Sequence, residues 1–113
     1  MNMNTVYVFA PSDGRFNTEG AVAFGCVKHT ALPDGRSFFN TDAIMEWLAE
    51  ALAEFDPDTD FVAMTGQNVV IALAVSYVLS NFGRVRLLLF DARTSKYVER
   101  TVHHPRFVAE EAS

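Results

Sequence analysis

Apolar residues are densest between Phe61 and Phe90, where they fall into a strand, helix, strand rhythm. Phe61-Val62-Ala63-Met64 is a short apolar run behind the turn-rich Pro57-Asp58-Thr59-Asp60. Thr65-Gly66 ends it, because glycine allows a sharp reversal. Asn68 or Thr65 can then cap a helix running from about Val69 to Phe82, with Asn81 and Gly83 as its stop. Val69 to Val75 is apolar on every side, which predicts a helix buried all round. Val85 and Leu87-Leu88-Leu89-Phe90 show no alternation, as expected of a parallel strand covered on both faces. The unit therefore reads as a right-handed βαβ crossover.

Upstream, Thr5 to Ala10 has the β-branched and aromatic bias of a strand. Pro11 to Gly20 is a polar loop, longer than a tight hairpin needs. Ala21 to Thr30 reads as a second strand, Leu32-Pro33-Asp34-Gly35-Arg36 as a hairpin turn, and Ser37-Phe38-Phe39 as a short third strand, so the N-terminal third is expected to be a meander. Asn40-Thr41-Asp42 caps a helix with an apolar stripe of Ile44, Trp47, Leu48, Ala51, Leu52 and Phe55. Downstream, Ala92 to Ser95 turns the chain, and Lys96 to Val102 alternates like an antiparallel strand exposed on one side. The expected architecture is α/β: one small domain over residues 1–105, a mixed sheet of five to six strands with two helices, in Rossmann-like or ribonuclease H-like topology, followed by a flexible tail over 106–113.

Composition narrows the function. With 113 residues, half of them hydrophobic and ten of them Phe, the chain can build one well-filled core. Its longest apolar helix is shorter than the roughly 18–20 residues that cross a bilayer, so no membrane association is expected. The formal charge of −5 and the lack of a basic patch argue against nucleic acid. The lone Cys26 sits in an apolar run and reads as a buried small hydrophobe in a reducing, cytoplasmic setting.

Candidate chemistry is sparse. His29, His103, His104 and Cys26 do not form a zinc-ligand pattern, and no cofactor is expected. No nucleophile elbow or phosphate-loop lysine motif occurs, so no catalytic residue is assigned. Ligands of open α/β sheets sit beyond the carboxyl ends of parallel strands. That rule gathers Ser12, Asp13, Thr65 and Gly66, with Gln67 and Asn68 opening the helix, into a candidate site for a small anion, used for binding or, as the alternative, for weak enzymatic activity. On the first helix, Asp42 is followed at four-residue intervals by Glu46, Glu50 and Glu54, an acidic strip for a basic protein partner. The wholly apolar second helix calls for extra cover, so a homodimer is expected.

Three resemblances bear on this reading. The order of elements is similar to that of ribonuclease H-like enzymes, whose metal-held carboxylates would fall on the first strand, first helix and fourth strand. Here those places offer only Asp13, in the loop, and Glu46, with Thr65 where the third acid belongs, so nuclease activity is not expected. The segments D-F-V-A-M-T-G, G-R-V-R-L-L-L-F-D and K-Y-V-E-R resemble small α/β proteins of phages and bacteria, which implies a phage protein; the missing catalytic set, the acidic strip and the small size point to one that acts through a host or phage protein partner without catalysis. The Thr65-Gly66 turn before a long helix also resembles the nucleotide-sensing Rossmann-like domains of CRISPR systems, which implies a nucleotide-like ligand there.

Overall fold

The computed structural model describes residues 4–12, 14, 17–32 and 40–105. In chain order they form β1 (Thr5–Val8), a 3-10 helix (Glu19–Phe24), β2 (Cys26–His29), α1 (Thr41–Ala51), β3 (Phe61–Ala63), α2 (Asn68–Phe82), β4 (Arg84–Asp91) and β5 (Lys96–His103). One five-stranded sheet takes the order β2-β1-β3-β4-β5. The first four strands are parallel to their neighbours and β5 runs antiparallel to β4.

The direction of travel along the sheet fixes which face each connection covers. From β2 to β3 and from β3 to β4 the chain moves one way, and right-handed crossovers put α1 and α2 on the same face. From β1 to β2 it moves the other way, and the 3-10 helix lies on the opposite face. The two buried clusters follow this division. Tyr7, Phe9, Val62, Val85 and Leu87 meet the two α-helices. Val6, Val8, Phe61, Ala63 and Leu88 meet Ala21 of the 3-10 helix and Tyr97 of β5, with Phe24 packed alongside.

Rings join the helices to the sheet. Phe9 meets Trp47 edge-on at 6.5 Å, Tyr7 tilts against Phe55 at 5.5 Å, and Phe55 meets Phe82 of α2 at 6.0 Å. On α2, Val70, Ile71, Ala74 and Val78 are fully enclosed, and each of the larger side chains contributes about 1.5–3 kcal/mol by leaving water. On the other face, Phe61 is met edge-on by Phe24 at 5.7 Å and covered by the Arg86 guanidinium 4.0 Å from its ring centre. Arg86 is fixed by Glu99 at 3.2 Å and the Asp58 carbonyl at 2.8 Å, and Arg84 pairs with Asp58. At the base of the sheet, the Asp60 carboxylate is the one charged group buried among the described residues. It accepts hydrogen bonds from the Thr5 and Asp56 amides at 3.0 and 2.9 Å and from the Thr59 hydroxyl at 3.1 Å.

Several local expectations hold. The mixed sheet, the βαβ unit, the apolar stripe of α1 and the Asn40 cap, whose side chain accepts from Ala43 N at 3.1 Å, are all present. Gly83 adopts a left-handed φ of 81° and its amide closes α2 on Leu79 O, while Asn81 Nδ2 donates to Tyr77 O.

Others are corrected. The strand expected from Ala21 begins only at Cys26, because Glu19–Phe24 winds into the 3-10 helix that spans the crossover. The first two strands are consequently parallel rather than a meander, so the ribonuclease H-like alternative, which begins with one, does not describe this sheet. Residues 33–39, which carry most of the expected hairpin turn and all of the short third strand, lie outside the described residues, as does the tail from 106. Cys26 is exposed rather than buried, at the head of an edge strand. Gln67 is the N-cap of α2, and neither Asn68 nor Thr65 caps it. Nor is α2 enclosed all round: Val69, Ala72, Ser76 and Ser80 are exposed.

Candidate functional site

The chain reverses its direction of travel between β1 and β3, so their carboxyl ends meet at the sheet's switch point, where doubly wound sheets hold ligands. The two ends touch here. Gly66 holds a φ of 142°, and a Cβ on it would lie 2.6 Å from the Phe9 carbonyl oxygen. The Gln67 amide donates to that oxygen at 3.0 Å. Gly66 is therefore needed for the close approach of two backbones, whatever else the turn does.

A hydroxyl from the far edge joins the two ends again. Tyr97 Oη donates to Asn17 O at 2.8 Å and meets Thr65 Oγ1 at 3.1 Å. The loop after β1 is thereby tied to the turn after β3. Beside this tie lies a cavity of about 500 Å³, lined by Pro11, Ser12, Gly14, Asn17, Thr18, Glu19 and, from the end of β2, His29. It offers hydroxyl, amide, carboxylate and imidazole groups to an occupant.

Of the residues singled out in the sequence, Ser12 lines this cavity and Asp13 lies outside the described residues. Thr65 is engaged by Tyr97, and Gly66 packs on Phe9. Gln67 is half-buried, and its Oε1 is shielded from solvent with no hydrogen-bond partner among the described residues. Asn68 is exposed at the first turn of α2. Thr65, Gly66, Gln67 and Asn68 are not among the described residues that line the cavity. Asn17, Thr18, Glu19 and His29 were missed by sequence reasoning. The polar loop carried a signal for the first three, but His29 joins them only because β2 runs parallel to β1.

The acidic strip is on the outer side of α1. Asp42, Glu46 and Glu50 are exposed along the helix, and Glu54 is exposed just beyond its end. Among the described residues none of the four is in an ion pair. Nearby, burial pushes the Tyr7 phenol above its ordinary value of 10.0, and the negative charges of Asp60 and Glu54 add to the shift. At the opposite flank, hydrogen bonds from Arg93 hold the Asp91 carboxyl below the usual carboxylate range. Among the described residues no three of His, Cys, Asp and Glu converge as metal ligands would, and no helix is long and apolar enough to cross a membrane.

These features define a small α/β protein with an open, mostly parallel sheet. The profile of the family described as Phage Pam3 gp32-like protein matches residues 4–104, and the chain belongs to that family. No curated protein and no solved structure matches it.

Proposed function

We propose that this phage-family protein is a non-catalytic binding protein that acts in the host cytoplasm through a protein partner, using the helical layer as its contact face. The observation that carries this reading is the row of Asp42, Glu46, Glu50 and Glu54, exposed at four-residue spacing and unpaired among the described residues. Like charges so spaced cost the isolated helix a few tenths of a kcal/mol per pair, and a basic partner reverses that penalty. The test is affinity capture from infected-cell lysate with wild type and with Glu46→Lys/Glu50→Lys/Glu54→Lys, the retained protein being identified and its affinity measured at low and high salt. The expected result is a partner lost with the triple variant and weakened by salt. Equal retention by both proteins, or no retained protein, overturns the reading.

A second reading, binding of a small anionic, nucleotide-like ligand, is favoured by one observation: the loop lining the cavity is tethered through Tyr97 to the turn that opens α2. Thermal-shift measurement with nucleotides and phosphorylated metabolites tests it. A stabilising ligand whose effect is lost in Ser12→Ala or His29→Ala supports it, and no shift with any anion in wild type sinks it.

A further inference from the structure

The helical face of the sheet is covered unevenly. α1 lies toward the β1 side and α2 over β3 and β4, and neither of these helices covers the helical side of β5 among the described residues. The β4–β5 register sets what is uncovered. Leu89 faces Val98, Leu87 faces Arg100, Val85 faces Val102 and Asp91 faces Lys96. Directly opposite residues share a face, so Lys96, Val98, Arg100 and Val102 all project on the helical side. Glu99, one residue out of phase, reaches Arg86 on the other side, as the alternation requires. Leu89 and Val102 are each 38 % exposed, and Val69, at the start of α2, is 45 % exposed.

Charge is graded across this layer. The α1 flank carries Asp42, Glu46, Glu50 and Glu54. α2, in the middle, has no charged residue from Asn68 to Phe82. The β5 flank carries exposed Lys96 and Arg100 between apolar neighbours; Asp91, opposite Lys96, is engaged by Arg93. Apart from Lys28 of β2, whose ammonium lies over the Tyr7 ring 5.3 Å from its centre, the sequence of sites is thus acidic, neutral, basic. A half-turn about an axis parallel to α2 reverses that sequence, laying acid over base twice and α2 over α2. The outward positions of α2, Ala72, Ser76 and Ser80, are small and let two helices come close.

We propose that the uncovered β4–β5 strip is the docking site for α1 of a second copy of this chain, in a two-fold dimer that pairs Glu46 and Glu50 of each protomer with Lys96 and Arg100 of the other. Isologous contact of this kind makes each charge pair occur twice, and it removes exposed Val69, Leu89 and Val102 from water. The proposal rests on the protein-partner reading above and names that partner as the chain itself.

Sedimentation equilibrium over a range of concentrations and salt tests it. Wild type is expected to be a dimer whose dissociation constant rises with ionic strength. Glu46→Lys/Glu50→Lys and Lys96→Glu/Arg100→Glu are each expected to weaken it by at least about tenfold, and the fourfold exchange to restore it to within about threefold, since only that combination re-forms the opposite pairs. All four positions are exposed, and circular dichroism checks that each variant keeps the fold. A dimer indifferent to all three variants, or a fourfold exchange no better than the pairs, overturns the proposal. A wild type that is monomeric throughout also overturns it. If that monomer still captures a different protein through Glu46 and Glu50, the partner reading survives; if it captures nothing, both fall.

Discussion

Replacing Gly66 by alanine tests how the switch point is built. The added Cβ would sit 2.6 Å from the Phe9 carbonyl oxygen and 3.1 Å from its carbon, both backbone atoms of a buried residue at the end of a central strand. Neither can swing aside as a long side chain does. Holding a φ of 142° costs a non-glycine residue about 1–3 kcal/mol. Relieving the overlap moves β1 from the β3–α2 turn and loosens the Gln67 N to Phe9 O hydrogen bond, worth about 0.5–1.5 kcal/mol. With the packing lost around Phe9, the sum is roughly 3–5 kcal/mol, a large share of the ~5–15 kcal/mol that keeps a domain folded. For a chain of this size that lowers the melting temperature by roughly 12–20 °C. Gly14 is the control: its φ of 83° is also positive, but a Cβ there meets nothing within 4 Å, so Gly14→Ala should cost only about 1 kcal/mol. Thermal and urea unfolding of both variants, followed by circular dichroism, measures the difference. Equal losses, or less than about 1 kcal/mol for Gly66→Ala, would refute the close-approach argument.

Three further outcomes are expected. Asp60→Ala removes three hydrogen bonds to a carboxylate and should cost about 2–4 kcal/mol in urea unfolding, whereas Asp60→Asn keeps one acceptor oxygen and should cost about half as much; no loss in either would show that the cluster is ornamental. The Tyr7 phenol is raised in the fold, so its contribution is whole below its ordinary value of 10.0 and is lost as pH rises through the folded value. Stability should therefore fall on the alkaline side, and Tyr7→Phe should flatten that slope; an unchanged slope would assign it to other groups. Cys26 is exposed at the head of β2, so a thiol reagent should label one equivalent in the native protein without the lag of an opening step.

Short-range signals were legible in the sequence and long-range ones were not. The α2 unit could be read because its apolar run, its glycine stop and the following strand each act locally, and the same is true of the Asn40 cap on α1. Ala21 to Val27 misled because its pattern fits a buried strand, and only the need to cross the sheet turned its first half into a 3-10 helix. Whether β2 runs with or against β1 depends on pairing between residues some twenty positions apart, which no local spacing records. That one unknown also hid the cavity, since Ser12 and His29 meet only when both strands end on the same edge. Thr65 and Gly66 were marked by glycine chemistry, yet their contacts with Tyr97 and Phe9 bring in a strand beyond the βαβ unit and a strand before it.

The Tyr97 tie has a consequence for biosynthesis. The phenol that holds Asn17 and Thr65 in place belongs to β5, which is made after the other described strands of the sheet. Until residue 97 has been added and has folded back against the loop after β1, the rim around the cavity has no latch. A chain truncated before β5 should therefore leave the loop after β1 and the turn after β3 untied.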